Sequence, residues 1–263
     1  MVGGFTPNCS TLMRKLAALF ALARATRMAV VYTLPGMAEV QVQKDLVYKE
    51  GGRTWHKLDV YHPPSAPSKP SNPAVILVHG GAKASGNMKN TRPFVSWGQL
   101  FAASGISAIT FNWDYPEGVQ IADLIEYVRK NAEQLNVDKD RLCIFAFSGG
   151  VEFAVPAVMK GTPEYVRCIV AYYGNLKRAQ TQLEEETATK LVPMLIVKAA
   201  QDEFIPADSI DRFVEMAQAK GAEVQLLTHS KGGHAFDLRN DDDQSHEIIK
   251  RTIEFVKERL ETP

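Results

Sequence analysis

Short apolar runs recur along most of this chain. Ala74–Val78, Ser107–Phe111, Leu142–Phe147, Cys168–Tyr173 and Met194–Val197 are almost wholly hydrophobic, the signature of strands buried on both faces. Upstream, Val40–Glu50 and Thr54–His62 read as a hairpin turning at Gly51-Gly52. Pro63, Pro64, Pro67, Pro70 and Pro73 then break regular structure and mark an exposed connection. Glu223–Leu227 is an eighth strand candidate. Between the strands the period changes to that of a helix. Ile121, Leu124, Ile125, Val128, Ala132 and Leu135 form one stripe. Ile210, Phe213, Val214 and Ala217, ending at Gly221, form a second, and Ile248, Ile249, Thr252, Ile253, Phe255 and Val256 form a third. This alternation predicts an α/β fold, a mostly parallel twisted sheet of about eight strands with helices on both faces. No repeat appears, and no spare block of 50 or more residues lies between strands for a large lid domain. The expectation is a single domain over residues 39–263 with an open site.

Residues 1–38 stand apart. They hold Arg14, Lys15, Arg24 and Arg27 and no acidic side chain, while Leu12, Leu16, Leu19, Phe20 and Ala23 recur at helical spacing. A basic helical segment of this kind has three readings: a helix docked on the domain or a partner, a targeting signal, or an amphipathic helix on a membrane surface over residues 12–27. The expected location is cytoplasmic, with secretion or the periplasm as the alternative if the segment is a signal. A homodimer also stays open.

Composition narrows the class without choosing a chemistry. Of 263 residues, 45% are hydrophobic and 23% charged, the balance of an ordinary globular chain. Thirty basic and thirty acidic side chains cancel, so no global field draws the chain to nucleic acid. No run approaches the ~20 apolar residues of a spanning helix. Cys9, Cys143 and Cys168 are too few and too scattered for a disulfide framework or a zinc site. Cys143 and Cys168 sit inside apolar strands and read as small buried hydrophobes.

Ligands of such a sheet bind beyond the carboxyl ends of its strands, so the residues that follow each strand carry the chemistry. Ala146-Phe147-Ser148-Gly149-Gly150 joins a buried strand to an apolar helical run around Phe153–Met159. It fits a nucleophile elbow, in which the positions two before and two after the serine must be small. Pro156 is expected to kink the following helix. A serine hydroxyl needs an oriented base to remove its proton. His234, behind Gly232-Gly233, is the candidate base, since His56 and His62 lie in the hairpin, His229 near its strand and His246 at the last helix. Asp202, ending its strand before Pro206, is the orienting carboxylate, with Glu203 as the alternative. Asp237 and Asp241–Asp243 read as surface and helix-start charge. His79-Gly80-Gly81-Ala82 follows the first buried strand, and glycines there let the backbone approach a substrate. The oxyanion donors are assigned to the N–H groups of Gly81, Ala82 and Gly149, and His79 to a structural role. Lys83–Pro93 reads as a polar loop, either a rim of the pocket or plain surface, and Trp113-Asp114-Tyr115 as packing or pocket-lining residues.

These residues, from about position 40 to the C-terminus, resemble the α/β-hydrolase superfamily. The short chain looks most like small carboxylesterases with an HGG-type oxyanion loop and like the dienelactone hydrolase group, which uses a cysteine where this chain has Ser148. The resemblance implies an α/β-hydrolase fold and a serine carboxylesterase that cleaves small short-chain esters through an acyl-enzyme, with Ser148, His234 and Asp202 as triad. Its partner is a small-molecule ester, and it implies no metal and no organic cofactor. A peptidase or amidase with the same triad, or a non-catalytic binding member of the fold, is the alternative.

Overall fold

A computed structural model describes residues 24–49, 51, 56–64, 72–81, 87–114, 119–160, 163–185 and 191–261. Most of the basic N-terminal segment, the hairpin residue Gly52, the oxyanion candidate Ala82 and Tyr115 lie outside them.

Eight strands form one sheet: β1 Gln41–Val47, β2 Lys57–His62, β3 Ala74–Val78, β4 Ser107–Phe111, β5 Leu142–Phe147, β6 Val166–Tyr172, β7 Met194–Ala199 and β8 Val224–His229. Their order is β1-β2-β4-β3-β5-β6-β7-β8, with β2 antiparallel to both neighbours and the other pairings parallel. The apolar runs β3, β4 and β5 are buried at every position, because the sheet is covered on both sides. Seven helices are described: α1 Arg92–Ala103, α2 Val119–Lys130, α3 Val151–Met159, α4 Lys177–Glu185, α5 Ala207–Ala219, α6 Phe236–Arg239 and α7 Asp243–Glu261.

Strand alternation sends Ala74, Ile76 and Val78 into one core with apolar residues of α2, α3, α4 and α5. Val75 and Leu77 enter the other, with α1, α7, Ala25 and Val30. Residues near the N-terminal end of the described chain are thus tied to the second face. The Val30 N–H donates to Ser96 Oγ at 2.9 Å and the Val31 N–H to the Asp237 carbonyl at 2.9 Å.

Two helices depart from the sequence pattern. Lys83–Pro93 is not a loop to its end: Met88–Asn90 forms a 3-10 turn and Pro93 sits in the first turn of α1. Proline is tolerated there because first-turn N–H groups have no helical partner. α4 is mostly polar and offers few apolar positions to read, with only Ala179, Gln180 and Leu183 buried on one face. The helix after the elbow runs through Pro156 to Met159.

Candidate active site

The elbow lies between the carboxyl end of β5 and α3. Phe147 is still extended, Ser148 turns to φ 50°, and Ser148–Gly150 makes one 3-10 turn into α3. A left-handed serine is an uncommon, strained conformation, and it aims the hydroxyl out of the turn. The small neighbours are enforced by contact. A Cβ at Gly150 would stand 2.7 Å from the His79 carbonyl oxygen and 2.8 Å from that of Val78. The end of β3 and the elbow therefore meet backbone to backbone.

His234 comes from the loop between β8 and α6. Its Nε2 lies 2.8 Å from Ser148 Oγ and its Nδ1 2.9 Å from Asp202 Oδ2. Asp202 follows β7, and its other oxygen accepts the N–H groups of Phe204 at 2.8 Å and Ile205 at 2.9 Å. The carboxylate is thus aimed by its own turn before it meets the imidazole. With Asp202 on Nδ1, that nitrogen carries the proton and Nε2 is left to accept from Ser148. The side chains of His234 and Asp202 are almost fully buried. Glu203, the alternative carboxylate, takes another position: its Oε2 accepts the His234 backbone N–H at 3.3 Å, and its Oε1 lies 3.5 Å from Arg239. Arg239 in turn donates to the His234 carbonyl at 3.2 Å. Glu203 and Arg239 clasp the loop and leave the imidazole to Asp202. Two rings flank that imidazole edge-on, Tyr173 at 4.8 Å and the exposed Phe204 at 5.0 Å.

Of the oxyanion candidates, Gly149 sits directly after the serine at the entry to α3, where helix N–H groups point at negative charge. Gly81, at φ 148°, follows the β3 turn in a conformation that suits glycine. His79 behind it is buried and structural. Its Nδ1–H donates to the Gly80 carbonyl at 3.0 Å, and burial pulls the imidazole down to about 4, so it is neutral near pH 7. Trp113 is buried and donates from Nε1 to the His79 carbonyl at 3.3 Å, which makes it a prop of the turn. Asp114 pairs with His56 at 3.0 Å.

Two polar side chains matter more than the sequence suggests. Lys89, in the stretch read as a polar loop, is buried and reaches Asp59 at 2.6 Å and Asp45 at 3.0 Å. Asp237 is not a surface charge: it is fully buried and accepts from Trp97 Nε1 and the Tyr173 hydroxyl. Cys143 and Cys168 are buried neighbours on β5 and β6, and burial pushes the Cys143 thiol up. Among the described residues no cluster of three or more His, Cys, Asp or Glu side chains is placed to hold a metal ion. Nor is any described helix long and apolar enough to cross a membrane.

Solved structures share this architecture at low sequence identity. A truncated carbohydrate esterase from gut microbiota superposes with a TM-score of 0.71 at 17% identity, covering 84% of this chain and 97% of that one. A thermophilic esterase from the planctomycete Thermogutta terrifontis gives 0.65 at 21% identity, covering 85% and 94%. An α/β hydrolase from a Medee basin deep-sea metagenome library gives 0.65 at 16%, covering 85% and 99%. These likenesses establish the α/β-hydrolase fold. No curated protein sequence matches the chain. Residues 104–261, which carry Ser148, Asp202 and His234, match the dienelactone hydrolase family; the chain belongs to that family.

Proposed function

We propose that this protein is a serine carboxylesterase acting on small, short-chain esters. The observation that carries the reading is the unbroken chain from Ser148 Oγ through His234 to Asp202, with contacts of 2.8 and 2.9 Å. In the reading, Ser148 Oγ attacks the ester carbonyl carbon while His234 Nε2 takes the hydroxyl proton. Asp202 holds the imidazole in the tautomer that can accept it and stabilises the imidazolium. Gly149 and Gly81 N–H groups, with that of Ala82, receive the oxyanion. His234 then hands its proton to the departing alkoxide, which leaves an acyl group on Ser148. A water deprotonated by the same nitrogen releases the acid and restores the serine.

Hydrolase chemistry follows from the family; the ester substrate and its size are the finer part of the proposal. Short acyl groups are favoured by a sequence without a lid-sized insertion between strands. The Thermogutta esterase, which has been solved with butyrate and with propionate bound, points the same way. Hydrolysis of p-nitrophenyl acetate, butyrate, octanoate and laurate by the purified chain, beside Ser148→Ala, tests the reading. The expected result is turnover that falls with chain length and a loss of several orders of magnitude in the variant. Absence of turnover on all four esters would remove the esterase reading, and faster laurate than acetate or butyrate would remove the size preference.

A further inference from the structure

Among the described residues three large hydrophobic side chains are exposed, Val47, Phe204 and Leu226. Val47 and Leu226 stand on β1 and β8, the two edge strands of the sheet, and single apolar residues at such places are ordinary. Phe204 stands beside the triad. Its ring centroid is 5.0 Å from that of His234, and the two planes meet at 70°. The turn explains the backbone there but not the side chain. Asp202 Oδ1 accepts the N–H groups of Phe204 at 2.8 Å and Ile205 at 2.9 Å, a service that any residue except proline supplies. Ile205 packs against the core, while Phe204 stays 38% exposed.

The reaction decides which part of a substrate meets this ring. His234 Nε2 lies 2.8 Å from Ser148 Oγ. In acylation the bond from Oγ to the carbonyl carbon forms and the bond from that carbon to the alcohol oxygen breaks. The serine proton passes through Nε2 to the departing oxygen. That oxygen must therefore come within about 3 Å of Nε2, which sets the alcohol group against the imidazole. One flank of the imidazole is closed, because Tyr173 packs on it at 4.8 Å, is buried and is tied by its hydroxyl to Asp237. The flank that carries Phe204 is open to solvent. The charges next to it are already engaged, since Glu203 and Arg239 pair with each other and hold the His234 backbone.

We propose that Phe204 is a specificity-determining residue for the alcohol half of the substrate, an apolar wall that favours esters of aromatic alcohols over those of small alkyl ones. The inference rests on the esterase reading above and adds a preference on the other side of the scissile bond. A ring on the alcohol packs against Phe204 edge-on or offset, at about 4.5–7 Å between centroids, and covers apolar surface that water otherwise touches. A methyl group is too small to cover it. The contact exists only while the alcohol is attached, so it acts on acylation. Once the alcohol has left, the acyl-enzyme is the same whatever the alcohol was.

The test compares kcat/KM for benzyl acetate and methyl acetate, which share an acyl group and have alcohols of similar basicity, on full-length wild type, Phe204→Ala, Phe204→Gln and Ser148→Ala. The wild type is expected to prefer benzyl acetate. Both Phe204 variants are expected to lower the benzyl-to-methyl ratio about fivefold to tenfold. A general disturbance of the Asp202 turn slows both esters alike and cancels in the ratio. A ratio that stays fixed in the variants, whether or not both rates fall, leaves Phe204 a role in the loop only and overturns the proposal. If Phe204→Ala does not fold, Phe204→Gln, which keeps side-chain bulk without an apolar ring, decides in the same way. A wild type with no preference for benzyl acetate also overturns it. Activity that Ser148→Ala abolishes keeps the esterase reading intact in each of these cases. A wild type inactive on both esters and on p-nitrophenyl acetate removes that reading and this one together.

Discussion

A β-carbon at Gly80 would stand 2.8 Å from Ser148 Cβ and 2.7 Å from the Phe147 carbonyl oxygen. The turn after β3 therefore packs directly on Ser148, with no side chain between that turn and the elbow. Gly80→Ala forces one of two backbones to shift, since neither contact is the free end of a flexible side chain. Overpacking of this kind costs about 1–3 kcal/mol. A displacement of the donors by a fraction of an ångström to an ångström is expected to lower kcat/KM by about a hundredfold. Thermal melting and p-nitrophenyl acetate kinetics on the same sample check both. Unchanged kinetics would show that the donors are not set by this contact.

Asp202 and Glu203 are adjacent carboxylates with separable duties. Asp202→Asn keeps the shape of the turn but offers an amide to His234 Nδ1, which favours the wrong tautomer. The expected fall in kcat is about 10⁴-fold, the scale of that substitution in a serine triad. Glu203→Gln keeps an oxygen for the His234 backbone N–H and is expected to cost less than about tenfold, as a lost loop clasp and not a lost orienter. The reverse ranking would assign the imidazole to Glu203.

His79 makes stability depend on pH in a defined direction. Its folded-state value is about 4, against 6.5 for an unhindered imidazole, and burial is the cause. Between these values the unfolded chain binds a proton that the native one refuses. The contribution is therefore complete above pH 6.5 and lost as pH falls toward 4. Its size is about 3 kcal/mol across the window. Burial pushes His62 the same way. His79→Asn, whose amide can still donate toward the Gly80 carbonyl, removes this titration. Urea denaturation at pH 7 and pH 4.5 is expected to show a loss about 2–3 kcal/mol smaller in the variant. Parallel losses in the two proteins would mean that His79 is not held neutral.

The strands, the elbow and the order serine, acid, histidine were legible because each rests on local sequence. Five-residue apolar runs such as Ala74–Val78 have few other ways to be buried, and the elbow's small residues sit within two positions of Ser148. What escaped was set by distance along the chain. Asp237 reads as a helix-start charge because its donors, Trp97 and Tyr173, lie 140 and 64 residues away. Lys89 reads as a loop lysine because its acceptors are on β1 and β2. α1 was hidden by Pro93, a residue that breaks a helix interior yet fits its first turn. His79, in contrast, reads as a structural histidine that hydrogen-bonds loop backbone, and its Nδ1–H meets the carbonyl of the next residue, Gly80, a contact local enough to expect from the sequence.

Lys89 links the buried Asp59 of β2 to the end of β4 beside the His79 turn. Its ammonium is 2.6 Å from Asp59 Oδ1, and both side chains are inaccessible. Its backbone N–H donates to Asn112 Oδ1 at 2.9 Å, one residue before the Trp113 that props the His79 carbonyl. Lys89→Met removes the cation and strands the Asp59 carboxylate, which also accepts the Asp45 N–H at 2.8 Å. Breaking such a pair from one side costs about 3–5 kcal/mol. Lys89→Met combined with Asp59→Asn removes both charges and keeps an oxygen for the Asp45 N–H, so chemical denaturation is expected to recover most of that loss. Activity separates the two effects: if the lysine serves only the ion pair, kcat/KM returns with stability in the double variant. A double variant that is stable yet slow would show that the ammonium itself fixes the stretch between the oxyanion turn and α1.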